Sequence, residues 1–413
     1  MPLPWLIVFL PWGGAAALAL IPRTALAARV NIGVAALSAI LGLALLGHPG
    51  GEQGWTRVDA LNAPFVALSA LIGLTTAIFS AGQVAAEGFD ALRTRAYHAA
   101  FQLFLGAQAL ALLSDNLGVM WVAIEIATLA SVLMVAVHGT PAAIEAAWKM
   151  FILCGVGIAL ALFGTILLTM AAQPVAGQGD PSLSWAALRA VAAQCDAGLL
   201  NLAFVFLVVG YGTKAGLVPL HSWLPDAEAE GPIAISAVLR IQAIVEANPG
   251  TVATGGILVA LGLASVLLSA LALWRRRDAR RFFAWSSIGH MGIAAFAFGL
   301  GGAAANLAGL LHMAGHSVVK SAIFFGIGHA ARLKGSQKIE DIGGLVATHP
   351  ALGWGLAIAI AAIAGLPPFA LFASEFLLVT ATASAAWWLL PLLGLGLFTA
   401  VAAKITTVQR LCL

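Results

Sequence analysis

Runs of about 20 apolar residues recur along almost the whole chain, each bounded by charged or Gly- and Pro-rich breaks, and that recurrence dictates the fold class. A bilayer offers no water to backbone N–H and C=O groups, so such segments satisfy themselves as helices. The 413 residues are 61% hydrophobic and 9% charged, with a mean hydropathy of +1.00, which excludes an ordinary soluble domain. The chain reads as an all-α polytopic membrane protein, a single integral membrane domain over residues 1–413. Helices are expected near Pro4–Leu20, Val30–Leu46, Pro64–Ala81, Ala99–Leu113, Leu117–Val137, Ala146–Met170, Leu199–Leu220, Pro232–Val245, Ala253–Trp274, Phe282–Leu300, Asn306–His329, Leu352–Phe376 and Ala386–Thr407, about 13 in all. The first begins at Pro4 without a basic n-region, so it reads as a retained helix and not as a cleaved signal.

The distribution of basic residues tests this count, because cytoplasmic loops collect Lys and Arg. With the N-terminus outside and the C-terminus cytoplasmic, fifteen of the 20 basic residues fall on the cytoplasmic side, Lys149 and Lys404 among them. Arg57 and Arg189 fall outside, and Lys214, Arg240 and Lys320 lie within helices. The eighth segment is the short one: at about 14 residues it spans only about 21 Å, and it carries Arg240 and Gln242. Removing it would place the Arg275–Arg281 cluster outside, so it is kept as a crossing.

Three scattered cysteines, Cys154, Cys195 and Cys412, form no CxxC pair, which argues against iron–sulfur ligation and a disulfide framework. There is no Walker loop and no GxGxxG after a strand. The chain therefore reads as carrying no cofactor and no metal, and any redox or nucleotide chemistry belongs to partners.

What remains is a set of ionisable residues at membrane depth, where a charged side chain costs about 2.5–3.5 kcal/mol on insertion scales and tends to be kept for use. Glu125 sits at the ninth position of Leu117–Val137, a run with no other charge. It can be paired statically with Lys149 or Lys214, or it can exchange a proton with a lysine across a wet seam. Lys214 lies in an otherwise uncharged stretch, five residues before Pro219, and can either stay buried or snorkel. His312, His316 and Lys320 are spaced by four, each rotated by about 40° from the last, so they line one helix face as a ladder of titratable groups. A metal site is the rival reading, but HMAGH lacks the Glu of HExxH and no Cys or carboxylate lies nearby in sequence. His290 is a lone histidine in Ser286–Gly292. Gly365-Leu366-Pro367-Pro368 interrupts an apolar stretch from Ala351 to Ala381, with Glu375 after it, and Pro219 and Pro225 flank His221 in the same way. Two helices therefore read as broken, each with a titratable neighbour, and irregular backbone at membrane depth commonly lines ion-handling sites.

The stretch Gly212-Thr213-Lys214-Ala215-Gly216-Leu217-Val218-Pro219-Leu220-His221-Ser222-Trp223-Leu224-Pro225-Asp226-Ala227 resembles the signature of the antiporter-like proton-pumping subunits of respiratory complex I and its relatives. Asp115-Asn116-Leu117 through Glu125, Ala284–Gly292, His312–Lys320 and Pro367–Glu375 resemble further motifs of that family in the expected order, across most of the chain. The combination His316–Ser321, Phe324-Phe325 and Ile342–Leu345 is most similar to the large membrane subunit of energy-converting nickel–iron hydrogenases and formate hydrogenlyase, the hydrogenase-4 component F type.

The resemblance implies an antiporter-like fold with a proton-conducting core over about residues 115–380. It also implies a role in which redox chemistry in a peripheral arm drives the transfer of protons, or of sodium, through the membrane subunits. Iron–sulfur clusters, a nickel–iron centre or flavin and quinone would sit in partner subunits. The partners implied are other membrane subunits and the lipid bilayer of a bacterial or archaeal inner membrane, with no nucleic acid. By motif, Glu125 would modulate a neighbouring lysine, Lys214 would hold the central proton, His312, His316 and Lys320 would relay it, and Glu375 would gate the outer side. His221, His290 and Lys149 are further candidates. The chain departs from the family after Ser236-Ala237-Val238-Leu239, where Arg240-Ile241-Gln242 and an early Asn248-Pro249-Gly250 shorten the segment, and at Ala227-Glu228-Ala229-Glu230, where a histidine is frequent. It also reads as lacking the last family helix. An Mrp-type cation/proton antiporter subunit, the membrane half of a bicarbonate-uptake complex and a non-pumping anchor are the competing functions.

Overall fold

A computed structural model describes residues 2–177, 179–225 and 231–413, so Asp226 and the Ala227–Glu230 stretch lie outside the described residues. In chain order the helices are α1 (Leu3–Leu20), α2 (Thr24–Leu45), α3 (Asn62–Ala86), α4 (Ala91–Leu113), α5 (Leu117–Ala136), α6 (Pro141–Ala176), α7 (Trp185–Val191), α8 (Ala197–Ala215) and α9 (Gly231–Val245). They continue with α10 (Gly255–Leu273), α11 (Ala279–Leu300), α12 (Gly302–Lys334), α13 (Ile339–Ile342), α14 (Leu345–Thr348), α15 (Pro350–Ile363), α16 (Ala370–Ala385) and α17 (Leu390–Leu411). A short antiparallel hairpin of β1 (Gly51–Gln53) and β2 (Thr56–Val58) sits between α2 and α3.

Among the described residues eleven helices are long and apolar enough to cross a membrane: α1 to α6, α8, α10 to α12 and α17. The protein is thus a multi-pass membrane protein. The expected thirteen differ from these eleven at the two places the sequence marks as irregular. The eighth is the short α9, and the twelfth is divided into α15 and α16 by the Gly365–Pro368 break. The expected helix Leu199–Leu220 also ends early. It stops at Ala215, where Gly216 adopts a left-handed φ of +76° and the backbone N–H of Leu217 donates to the Gly212 carbonyl at 2.8 Å.

Helix starts follow the sequence. The side chains of Asp90, Asn116, Thr140, Ser184 and Asp278 accept from backbone N–H groups in the first turns of α4, α5, α6, α7 and α11. The Asp115-Asn116 motif therefore has a structural part. Asn116 caps α5, while Asp115 accepts from the Arg57 guanidinium at 3.0 Å and from the Ser184 hydroxyl at 2.5 Å.

The chain packs as two compact units, one of residues 1–211 with 236–252 and the other of residues 212–235 with 253–413. In the first unit α1 packs on α4, α4 on α5 and α2 on α3. Arg240 explains how the short α9 is secured there. It is buried, and it donates to the carbonyls of Ser114 (2.5 Å) and Leu112 (3.0 Å), the last acceptors of α4, with the Asp59 carboxylate 3.6 Å away. Trp185 returns a hydrogen bond to the Arg240 carbonyl at 2.7 Å.

In the second unit α10 and α11 lie in close contact, because glycines and serines let their backbones approach. A Cβ at Gly262 would overlap the Gly292 carbonyl, and one at Gly289 would meet the Ser269 hydroxyl. Helix α17 packs on α10, while α12 packs on α11, α15 and α16. An apolar cluster of Phe282, Phe283, Ile323, Ile327, Ile360 and Ile363 seals one side of this assembly, and another of Phe296, Ala297, Ala305, Leu378 and Leu393 seals the other. His290, His312, Glu375 and Lys404 lie on α11, α12, α16 and α17 of this unit.

Candidate functional site

Two prolines make the site. At a continuous helix the carbonyl of Ile363 would accept from the N–H of residue 367, but Pro367 has none, so α15 ends there with an unclaimed acceptor. The ammonium of Lys404 on α17 supplies the missing donor at 2.8 Å. The same Nζ lies 2.9 Å from Nε2 of His290 on α11. Nδ1 of His290 lies 2.9 Å from Nε2 of His312 on α12, and Nδ1 of His312 lies 2.9 Å from the Ser374 hydroxyl on α16. Ser374 in turn donates to the Leu371 carbonyl at 2.8 Å, on the far side of the break. Four side chains from four helices thus form one unbroken hydrogen-bonded chain between Ile363 and Leu371, and all four are at least 96% buried.

Two further groups adjoin it. The His316 ring lies 5.0 Å from the His290 ring, and its two nitrogens are buried without a hydrogen bond among the described residues. Glu375 is half-buried and folds back against the break. A Cβ at Gly365, where φ is +70°, would overlap its carboxylate, so glycine is required both for the turn and for the close approach. Glu375, His290, Lys404 and Ser286 line one cavity of ≈ 20 Å³, enough for about one water, and the buried Ser286 hydroxyl has no hydrogen-bond partner among the described residues. Ligand-type atoms of His290, His312 and Glu375 all lie within 4.8 Å of one another. That spacing would suit a divalent cation, but Lys404 already brings a positive charge onto His290.

The expected ladder is present: His312, His316 and Lys320 are all buried on one face of α12. The Lys320 ammonium donates to the Phe283 carbonyl and lies 5.4 Å and 4.8 Å from the Phe283 and Phe324 rings. Lys214 is buried in the last turn of α8, 5.9 Å from the Trp223 ring, whose indole N–H donates to the Thr213 carbonyl at 2.9 Å. Lys214 does not snorkel. His221 is half-buried, 3.2 Å from the Pro219 carbonyl and edge-on to Trp285 at 5.1 Å, apart from the histidine chain. Lys149 is exposed on α6 and pairs with Glu145 at 2.6 Å. Glu125 is half-buried on α5 in the first unit.

One assignment is corrected. Lys404, counted with the cytoplasmic basic residues, is 4% exposed inside α17 and hydrogen-bonded to His290. The signal was depth. Lys404 lies seven residues, about 10 Å, before the end of α17 at Leu411. Ser374 also escaped the sequence reading, because an uncharged hydroxyl gives no pattern there.

Residues 114–401 match the family described as NADH:quinone oxidoreductase/Mrp antiporter, TM. The chain belongs to this family. A hydrogenase-4 component F homolog of Methylacidiphilum infernorum is 46% identical over 416 residues, which covers 97% of this chain and 87% of that protein. NADH-quinone oxidoreductase subunit L of Mycobacterium tuberculosis is 31% identical over 92% of this chain, which spans 64% of that longer protein. In fold, a chain of the membrane-bound sulfane sulfur reductase, an archaeal respiratory membrane complex, superposes with a TM-score of 0.90 at 22% identity, covering 99% of this chain and 88% of that one. Lys404 lies just beyond the matched residues.

Proposed function

We propose that this protein is the proton-translocating membrane subunit of a multisubunit respiratory oxidoreductase in a bacterial or archaeal inner membrane. Redox chemistry in partner subunits, which would hold any iron–sulfur, nickel–iron or flavin groups, is coupled to proton movement here. The observation that carries this reading is the chain Lys404–His290–His312–Ser374: proton-competent side chains in hydrogen-bond contact at membrane depth, with a carboxylate and a water-sized cavity beside them. A purely apolar anchor has no need to bury a lysine against two histidines.

In this reading a proton leaves Lys404 Nζ for His290 Nε2 as the His290 Nδ1 proton passes to His312 Nε2. Glu375, within 4.8 Å of ligand-type atoms of both rings, is one water away as the receiving group. His316, beside His290, links Lys320 on the same helix face to the chain. Lys214 and Glu125 are earlier stations. Family membership and the relatives named as complex I and hydrogenase-4 subunits support this reading over a bicarbonate-uptake or anchoring role.

The test is His316→Ala in the assembled complex, reconstituted in vesicles with a pH-sensitive dye. Proton uptake should slow while the subunit remains in the membrane at normal level. Unchanged uptake with normal assembly would remove His316 from the path, and copurifying subunits would identify the redox partner.

A further inference from the structure

The hydrogen-bonded chain has a direction, and that direction is forced. Building on the proton-transfer reading, we propose that Ser374 is a positioning residue. It locks both buried histidines in the Nδ1–H tautomer, so that the chain is held ready to accept a proton from Lys404 and from nowhere else along it.

When protonated, Lys404 has three donors and no acceptor, so it donates both to the Ile363 carbonyl and to His290 Nε2. His290 Nε2 is therefore the accepting nitrogen, and the ring carries its hydrogen on Nδ1, which points at His312 Nε2. That nitrogen must accept, so His312 carries its hydrogen on Nδ1 and donates to Ser374. Ser374 has one hydrogen and gives it to the Leu371 carbonyl, a group that can only accept, which leaves its oxygen lone pair for His312. A donor-only group at one end and an acceptor-only group at the other fix every proton between them. Both terminal acceptors, Ile363 and Leu371, flank the same helix break. The broken helix therefore sets the polarity of the chain.

Without the Ser374 oxygen, His312 Nδ1–H would lose its acceptor. The reversed chain, in which a neutral Lys404 amine accepts from His290 Nε2–H and His290 Nδ1 accepts from His312 Nε2–H, would then no longer set a bare His312 Nδ1 against the Ser374 oxygen, so the tautomers would be free to switch. Threonine keeps the hydroxyl and its bond to the carbonyl three residues back.

The test uses the full chain, with [15N]histidine, in lipid vesicles. Histidine tautomers are read from ring nitrogen shifts by solid-state NMR, and His290→Gln and His312→Gln difference spectra assign the signals. Wild type should show Nδ1–H at both rings, Ser374→Ala should convert His312 to Nε2–H or a mixture, and Ser374→Thr should restore the wild-type pattern. In the complete complex Ser374→Ala should lower the proton translocation rate about tenfold, with Ser374→Thr close to wild type. Nε2–H at His312 in the wild type, or wild-type shifts in Ser374→Ala, would overturn the proposal. Lys404→Ala separates the two levels. If it translocates normally, the proton-transfer reading itself fails, whereas a Lys404→Ala defect with unchanged tautomers in Ser374→Ala removes only the role given to Ser374.

Discussion

Replacing Lys404 distinguishes a proton carrier from a fixed structural cation. Lys404→Met removes two hydrogen bonds, to His290 Nε2 at 2.9 Å and the Ile363 carbonyl at 2.8 Å. Each is a bond to a charged donor, worth about 1.5–3 kcal/mol. Against that loss stands the desolvation of a buried ammonium, which in proteins costs several kcal/mol. The opposing terms leave a net change of about 2 kcal/mol or less, and the complex should assemble. Lys404→Arg keeps the positive charge and the donors beside the same cavity of ≈ 20 Å³. A guanidinium, however, does not release a proton at any working pH.

A structural cation would tolerate Arg and suffer from Met, whereas a carrier is lost in both. Proton relay by a positioned side chain is typically worth about 10²-fold or more, so both variants should translocate about a hundredfold more slowly, equivalent to about 2.7 kcal/mol of barrier. The assay is dye-monitored acidification of vesicles holding the intact complex, started with its own substrates, with subunit content measured in parallel. Lys404→Arg translocating at half the wild-type rate or better, with normal subunit content, would refute the carrier role.

Three other outcomes follow from particular contacts. Lys214→Ala should leave assembly intact and depress translocation, whereas an anchoring subunit would be indifferent to it in the same vesicle assay. Gly365→Ala should cost about 1–2 kcal/mol for the left-handed backbone and push the Glu375 carboxylate aside, so its translocation defect should match that of Glu375→Gln. Arg240→Ala strips the last carbonyls of α4 of their donors and removes the guanidinium 3.6 Å from Asp59. Loss of about 3–5 kcal/mol should appear as a lower thermal midpoint of the detergent-solubilised protein, with Arg240→Lys falling between.

Most of the architecture was legible because hydropathy in a bilayer is nearly a sufficient rule: a long apolar run has no alternative to a helix. The Pro367-Pro368 break after α15 and the short run of α9 were legible too, whereas α8, expected to reach Leu220, ends at Ala215 where Gly216 turns left-handed. The ladder on α12 followed from its spacing of four. Lys404 did not follow, because a count of basic residues by loop treats a lysine near a helix end as belonging to the loop. Converting its position to depth corrects this. Ser374, the placement of His290 as the link between Lys404 and His312, and the role of Arg240 as a cap for α4 depend on which helices pack together. Sequence periodicity does not encode that. Lys149 shows the reverse case, a lysine close in sequence to the candidate Glu125 that the fold leaves on the surface with Glu145.

The central claim is that protons cross through the His290–His312 contact, and the most direct measurement is the number of protons translocated per substrate turnover in vesicles for wild type and His290→Gln. A glutamine there keeps polar contact with Lys404 but cannot pass a proton from one ring nitrogen to the other. Turnover should persist while the proton yield falls to the share carried by the other membrane subunits. An unchanged proton yield in a fully assembled His290→Gln complex would contradict the account.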